Sequence, residues 1–142
     1  MRNRHLTYHT MQIEAFIKQF ESGTLPVSEW THAAHIRTAL WYVHHHGLDA
    51  ALCYLRAGII SYNAAVGGKN TPQGGYHETL TIFWTEAVAR FNEALAEGLS
   101  FGERWILAQQ SHLMDKDLPL QYYSKPYLMS PKARSRWQTP DL

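Results

Sequence analysis

Glycines at positions 23, 47, 67, 68, 74, 75 and 98 cut this chain into segments whose apolar residues return every three or four positions. That period matches the turn of an α-helix and gathers the apolar side chains on one face, whereas a half-buried strand alternates every second residue. No stretch alternates at period two for the length of a strand. The expected fold is therefore all-α: a compact single-domain bundle of about five helices plus a short C-terminal helix, spanning residues 1–142.

Residues 1–9 are expected to form an N-terminal tail, and the first helix to run from about Thr10 to Ser22 on Ile13, Phe16, Ile17 and Phe20. Ser28 is a good N-cap for a second helix reaching His46, with Gly47 to close it. Asp49 caps a third helix that continues to Val66 through Leu52, Leu55, Ile59 and Ile60. Gly58 inside it costs about 1 kcal/mol relative to Ala, and leaves room for a close helix neighbour. Gly67–Gly75 reads as a flexible loop, a candidate lid, and lacks the Gly-Lys-Ser/Thr of a phosphate-binding loop. A fourth helix is expected over Tyr76–Glu97, ended by Gly98. Ser100-Phe-Gly-Glu103 is a capping box for a fifth helix to about Met114. The segment Asp115–Pro126 reads as irregular, and Ser130-Pro131 opens the last short helix.

Composition narrows the function classes. Hydrophobic residues at 45% and charged residues at 18% describe a globular chain, and 142 residues make one ordinary domain. A net charge of +1 gives no field that would draw nucleic acid or an anionic membrane. Lys132, Arg134 and Arg136 form the only basic cluster and read as a solvated helix face. Cys53 stands alone, so neither a disulfide nor a thiolate cluster is available within the chain, and its apolar surroundings suggest burial. No run approaches the ~20 apolar residues of a membrane span, and the N-terminus lacks a signal-peptide core. The expectation is a cytoplasmic protein whose metal ligands, if any, are nitrogen and oxygen.

The nine histidines carry the chemistry. His32 and His35 are three residues apart, and side chains so spaced project from one side of a helix about 5–6 Å apart at Cβ. Two imidazoles among Trp30, Ala33, Ala34 and Ile36 would each need a polar partner, a need that a shared metal ion removes. His77, at the start of the fourth helix, is the candidate third ligand, which leaves an open position as catalytic metal sites do. Glu78 lies ~100° further round the helix, where it would act as base or support a ligand, although an acid in a first turn is favoured by the helix dipole alone. His112 and Asp115 form a second i, i+3 pair that either completes a second site or is a simple ion pair. His44, His45 and His46 suit a solvated helix end, and His5 and His9 a tail. Trp30, Tyr62, Asn63, Tyr76 and Thr81 are candidate pocket residues, with Trp84, Tyr122 and Tyr123 near them in kind; ordinary core packing is the alternative for each.

Known signatures fail here. His77-Glu-Thr-Leu-Thr81 has Thr where a metalloprotease helix needs its second His, no His-Asp pair occurs, and a zinc finger lacks its cysteines. Trp30-Thr-His-Ala-Ala-His-Ile-Arg-Thr-Ala39, Gly75-Tyr-His-Glu-Thr-Leu-Thr81, Tyr122-Tyr-Ser and the closing Trp137-Gln-Thr-Pro-Asp-Leu142 resemble a family of small uncharacterised bacterial proteins. The resemblance covers most of the chain and implies a compact helical protein whose motif histidines are His32, His35 and His77. The sequence reading is a transition-metal-dependent enzyme acting on a small organic molecule, with copper or iron and oxygenase chemistry narrowly ahead, on one ion or two. A zinc-dependent hydrolase or lyase is the first alternative, with Glu78 relaying a proton. A non-enzymatic metal- or small-molecule-binding protein is the second, and no nucleic-acid or membrane partner is expected.

Overall fold

A computed structural model describes residues 2–142, and side chains from residue 12 onward. It is all-α, with helices α1 (Arg2–Ser22), α2 (His32–His46), α3 (Leu48–Ala65), α4 (Glu78–Ala94), α5 (Phe101–Gln109), α6 (Lys125–Leu128) and α7 (Pro131–Ser135). α1 starts well before Thr10, because residues 2–9 hold no Gly or Pro to break it. His5 and His9 lie outside the described side chains. No helix of the described residues is long and apolar enough to cross a membrane.

The middle of the molecule is a three-helix packing in which α2, α3 and α4 each touch the other two. α1 and α5 close one side. Ile13, Ile17 and Phe20 from α1 meet Ile36, Leu40 and Val43 of α2 in the main core, with Leu55, Tyr62 and Val88 from α3 and α4. Gly58 lets this happen: a Cβ there would lie 2.8 Å from the Phe20 ring, so only glycine allows α1 to press onto α3. A second cluster of Phe83, Leu118, Tyr123 and Leu128 seats the C-terminal helices on α4, with Trp84 packed against both cores.

Helix ends differ from the sequence reading in ways that matter for the site. Val27–Glu29 is a separate 3₁₀ turn, so Ser28 does not cap α2. Thr31 does, its hydroxyl accepting from the Ala34 N–H at 3.2 Å, and this makes His32 the first residue of α2. Gly47, rather than Asp49, precedes α3. α4 begins at Glu78, not Tyr76, because the His77 ring caps it. It stops at Ala94, where Arg104 takes up the carbonyls of Asn92, Ala96 and Leu99. The capping box at Ser100 and Glu103 forms as expected. α5 nevertheless ends at Gln109, because the Ser111 hydroxyl donates to the Ala108 carbonyl and accepts from the Leu113 N–H, turning the chain into 3₁₀ form over His112–Met114. Cys53 is exposed, since α3 buries Ala51, Leu55 and Tyr62 and turns Cys53 to the other side.

Candidate functional site

α2, α3 and α4 leave between them a half-open cavity of about 490 Å³. α2 contributes His32, His35, Ile36 and Ala39; α3 contributes Leu55, Ile59 and Asn63; α4 contributes Leu80, Thr81, Trp84 and Thr85. Trp30 and the Gly75-Tyr76-His77 approach to α4 complete the wall. The volume lies in the range of small-molecule sites, as does the mixture of an apolar wall with a few polar groups.

His35 owes its place to an aromatic ladder. Its ring centroid is 3.9 Å from that of Trp30, and Trp30 stacks in turn on Phe20 at 4.8 Å. Burial, with the nearby His32 adding, lowers the His35 pKa to about 4, so the imidazole is neutral at physiological pH. Its ring nitrogens have no hydrogen-bond partner among the described residues, and it lines the cavity. Tyr62, expected in the pocket, instead packs against Trp30 and donates its hydroxyl to the Leu25 carbonyl at 2.9 Å.

His32 is fixed differently. Its Nε2–H donates to the Leu113 carbonyl at 2.8 Å, and its ring meets Trp84 edge-on at 4.8 Å. That bond sets the tautomer and leaves Nδ1 as an acceptor with no partner among the described residues. Two histidines of one helical turn therefore face one cavity, as their spacing predicts, with a single backbone carbonyl serving one of them.

His77 reaches the same wall but has both nitrogens committed. Nε2–H donates to the Leu128 carbonyl at 2.8 Å, and Nδ1 accepts the Leu80 N–H at 3.1 Å as the N-cap of α4. Burial lowers its pKa, which suits a neutral ring with one donor and one acceptor. Its role is to join the end of α4 to α6. Among the described residues no three His, Cys, Asp or Glu side chains are grouped so as to hold a metal ion. The expected His32–His35–His77 set loses its third member to helix capping, an interaction that the spacing of histidines does not reveal.

Glu78 is not itself among the residues that line the cavity. Its carboxylate accepts from Arg56 Nε at 2.9 and 3.0 Å and from the Tyr76 hydroxyl at 2.6 Å. It positions Tyr76, which lines the cavity, and meets the cavity through that hydroxyl rather than directly. The ~100° step from His77 carries it toward α3, where Arg56 waits. The Tyr76 hydroxyl has its pKa raised by burial and by the carboxylate beside it.

The Gly67–Gly75 loop is pinned. Asn70 Oδ1 accepts from Asn63 Nδ2 at 3.1 Å and from the Tyr76 N–H at 3.0 Å, while Asn70 Nδ2 donates to the Ile60 carbonyl at 3.1 Å. Arg134 of α7 donates to the Gly75 carbonyl at 3.0 Å, which gives one residue of the basic cluster a structural use. Gly75 has φ +80°, and a Cβ there would run into the Lys69 carbonyl. Hydrogen bonds thus hold the loop at Asn70 and Gly75, and of its residues only Gly75 lines the cavity.

His112 and Asp115 do not join this site. Both are exposed; His112 lines a separate surface hollow with Phe83 and Tyr122, and Asp115 accepts the Asp117 N–H. Tyr122 and Tyr123 are likewise absent from the cavity wall, Tyr123 being buried in the second cluster. His45 and His46 lie exposed at the end of α2 as expected. Trp30, Asn63, Tyr76 and Thr81 do line the cavity. Sequence reading missed Arg56, Asn70 and the apolar floor of Leu55 and Ile59; the latter two carried a signal in their four-residue spacing, but one that read only as core. Comparison with family models, with curated proteins and with solved structures gives no match.

Proposed function

We propose that this protein binds a small organic molecule in the cavity between α2, α3 and α4, with the neutral imidazole of His35 as the group that orients it. The observation that carries this reading is the placement of His35: stacked on Trp30 and lining a 490 Å³ cavity with apolar walls. Such an imidazole, held neutral, offers one acceptor and one donor to a bound molecule, which is how it would orient a ligand. The Trp30 and Trp84 indoles give the assay. A fragment panel of phenols, indoles and heteroaromatic amines is titrated while the indole N–H resonances of both tryptophans are followed. Shifts at both, lost in a cavity-filling Ile59→Trp variant, support the reading, and a panel that moves neither indole sinks it.

A second reading keeps the metal. His32 binds a carbonyl through Nε2 and leaves Nδ1 free among the described residues, the arrangement that orients metal-ligating histidines elsewhere. An ion on His32 and His35 would need the ligand itself, or water, to complete its shell. Two nitrogens do not choose between copper or iron oxygenase chemistry and zinc hydrolysis. Elemental analysis of untagged protein, beside a His32→Ala/His35→Ala double variant, decides it: metal in the first and none in the second supports the reading, and metal-free protein that refuses added ions removes it.

A further inference from the structure

We infer that the cavity is specific for uncharged, flat aromatic molecules that carry a hydrogen-bond donor, a phenol or an N–H heteroaromatic in chemical class. The inference rests on the small-molecule reading above and concerns what that site selects. Its first support is charge. Among the described residues, none that lines the cavity is Asp, Glu, Lys or Arg. The ion pair of Arg56 with Glu78 lies outside the lining, behind the Tyr76 hydroxyl that donates to Glu78. Arg134, outside the lining, donates to the Gly75 carbonyl. A ligand with a net charge would leave water for a wall that offers no counter-charge, and such a transfer is strongly unfavourable.

The second support is the state of the polar groups. The hydroxyls of Thr81 and Thr85 donate to backbone carbonyls one turn back, at 2.9 and 2.6 Å. The Tyr76 hydroxyl donates to Glu78, and the Nε2–H groups of His32 and His77 donate to Leu113 and Leu128. Asn63 Nδ2 donates to Asn70. Acceptors facing the cavity are Nδ1 of His32, one nitrogen of neutral His35 and Oδ1 of Asn63; the donors left are the ring N–H of His35 and the second amide hydrogen of Asn63, so His32 Nδ1 is the group there that can only accept. A ligand that brings a donor satisfies one of these acceptors, and His32 Nδ1 is met by a ligand in no other way. The third support is shape. Trp30 and Trp84 present aromatic surface from different helical segments, and ring systems pack on such surfaces by offset or edge contacts.

The test uses the wild-type protein and three congeners of one shape: 2-naphthol, 2-methoxynaphthalene and 2-naphthoate. Affinities come from calorimetry at neutral pH, and the site from the Trp30 and Trp84 indole resonances. The expected order is naphthol about tenfold tighter than its methyl ether, the value of one hydrogen bond, and about a hundredfold or more tighter than the carboxylate. In His35→Leu, checked for helicity, the gap between naphthol and its ether should close. Naphthoate binding as tightly as naphthol, with both indoles shifted, overturns the specificity and leaves the small-molecule site standing. An ether that matches naphthol overturns the donor requirement. No binding by any of the three, or binding that leaves both indoles unmoved, overturns the inference together with the reading beneath it.

Discussion

Lowering the pH from about 7 to about 4 should destabilise the wild-type protein more than a His35→Gln variant, because burial keeps this imidazole neutral only in the folded state. Burial, with His32 adding, depresses its pKa from 6.5 to about 4. Between those values the unfolded chain binds a proton that the folded protein refuses, so stability falls with falling pH. The contribution of His35 is complete above pH 6.5 and is lost progressively toward pH 4. At ~1.4 kcal/mol per pH unit the whole window is worth ~3 kcal/mol, an upper figure because the half-open cavity admits water. For a domain of this size that is a drop of ~10 °C in melting temperature. His77, His44 and His45 also have pKa values lowered by burial and add to the slope in the same direction. They do so equally in both proteins, so the difference between wild type and variant isolates His35. Denaturant unfolding at half-unit pH steps gives both curves. Parallel curves would refute the argument, since a solvated His35 titrates alike in the folded and unfolded chains.

The other expectations follow from single contacts. Gly58→Ala should lower stability by about 1–3 kcal/mol in denaturant unfolding, because a Cβ 2.8 Å from the Phe20 ring outweighs the helix propensity gained. His77→Ala removes both the cap of α4 and the bond to Leu128, and should cost about 2–3 kcal/mol; His77→Asn, which keeps a capping acceptor, should recover about half of that. Equal losses in the two variants would deny His77 its capping role. Glu78→Gln should change stability by under about 1 kcal/mol, since the Arg56 side chain is 40% exposed. It should still weaken cavity binding several-fold by freeing Tyr76, and unchanged affinity would show that Tyr76 is held by other means. Gly75→Ala should destabilise the protein by about 1–3 kcal/mol, read as a lower denaturant midpoint, because φ +80° and the Lys69 carbonyl both oppose a side chain.

The helices and the pairing of His32 with His35 are written in the order of residues along the chain. Both follow from local geometry: the 3.6-residue period fixes which residues share a face, and glycine and Ser-x-x-Glu mark where helices stop and start. The spacing of Ile13, Ile17 and Phe20 foretold the buried face of α1, and Gly58 marked room on α3 for a close neighbour, which the tertiary structure makes Phe20 of α1. Helix ends were less legible, because Ser28 is by chemistry at least as good a cap as Thr31 and the turn at Val27–Glu29 chose Thr31. The fate of each polar side chain was decided by tertiary structure alone. Whether His77 faces an ion or a carbonyl depends on Leu128, fifty-one residues away, and whether Glu78 acts as a base or an anchor depends on Arg56, twenty-two residues away. A hydrogen bond forms with whatever partner the fold brings within about 3 Å. Sequence spacing carries that information along one helix and loses it between helices.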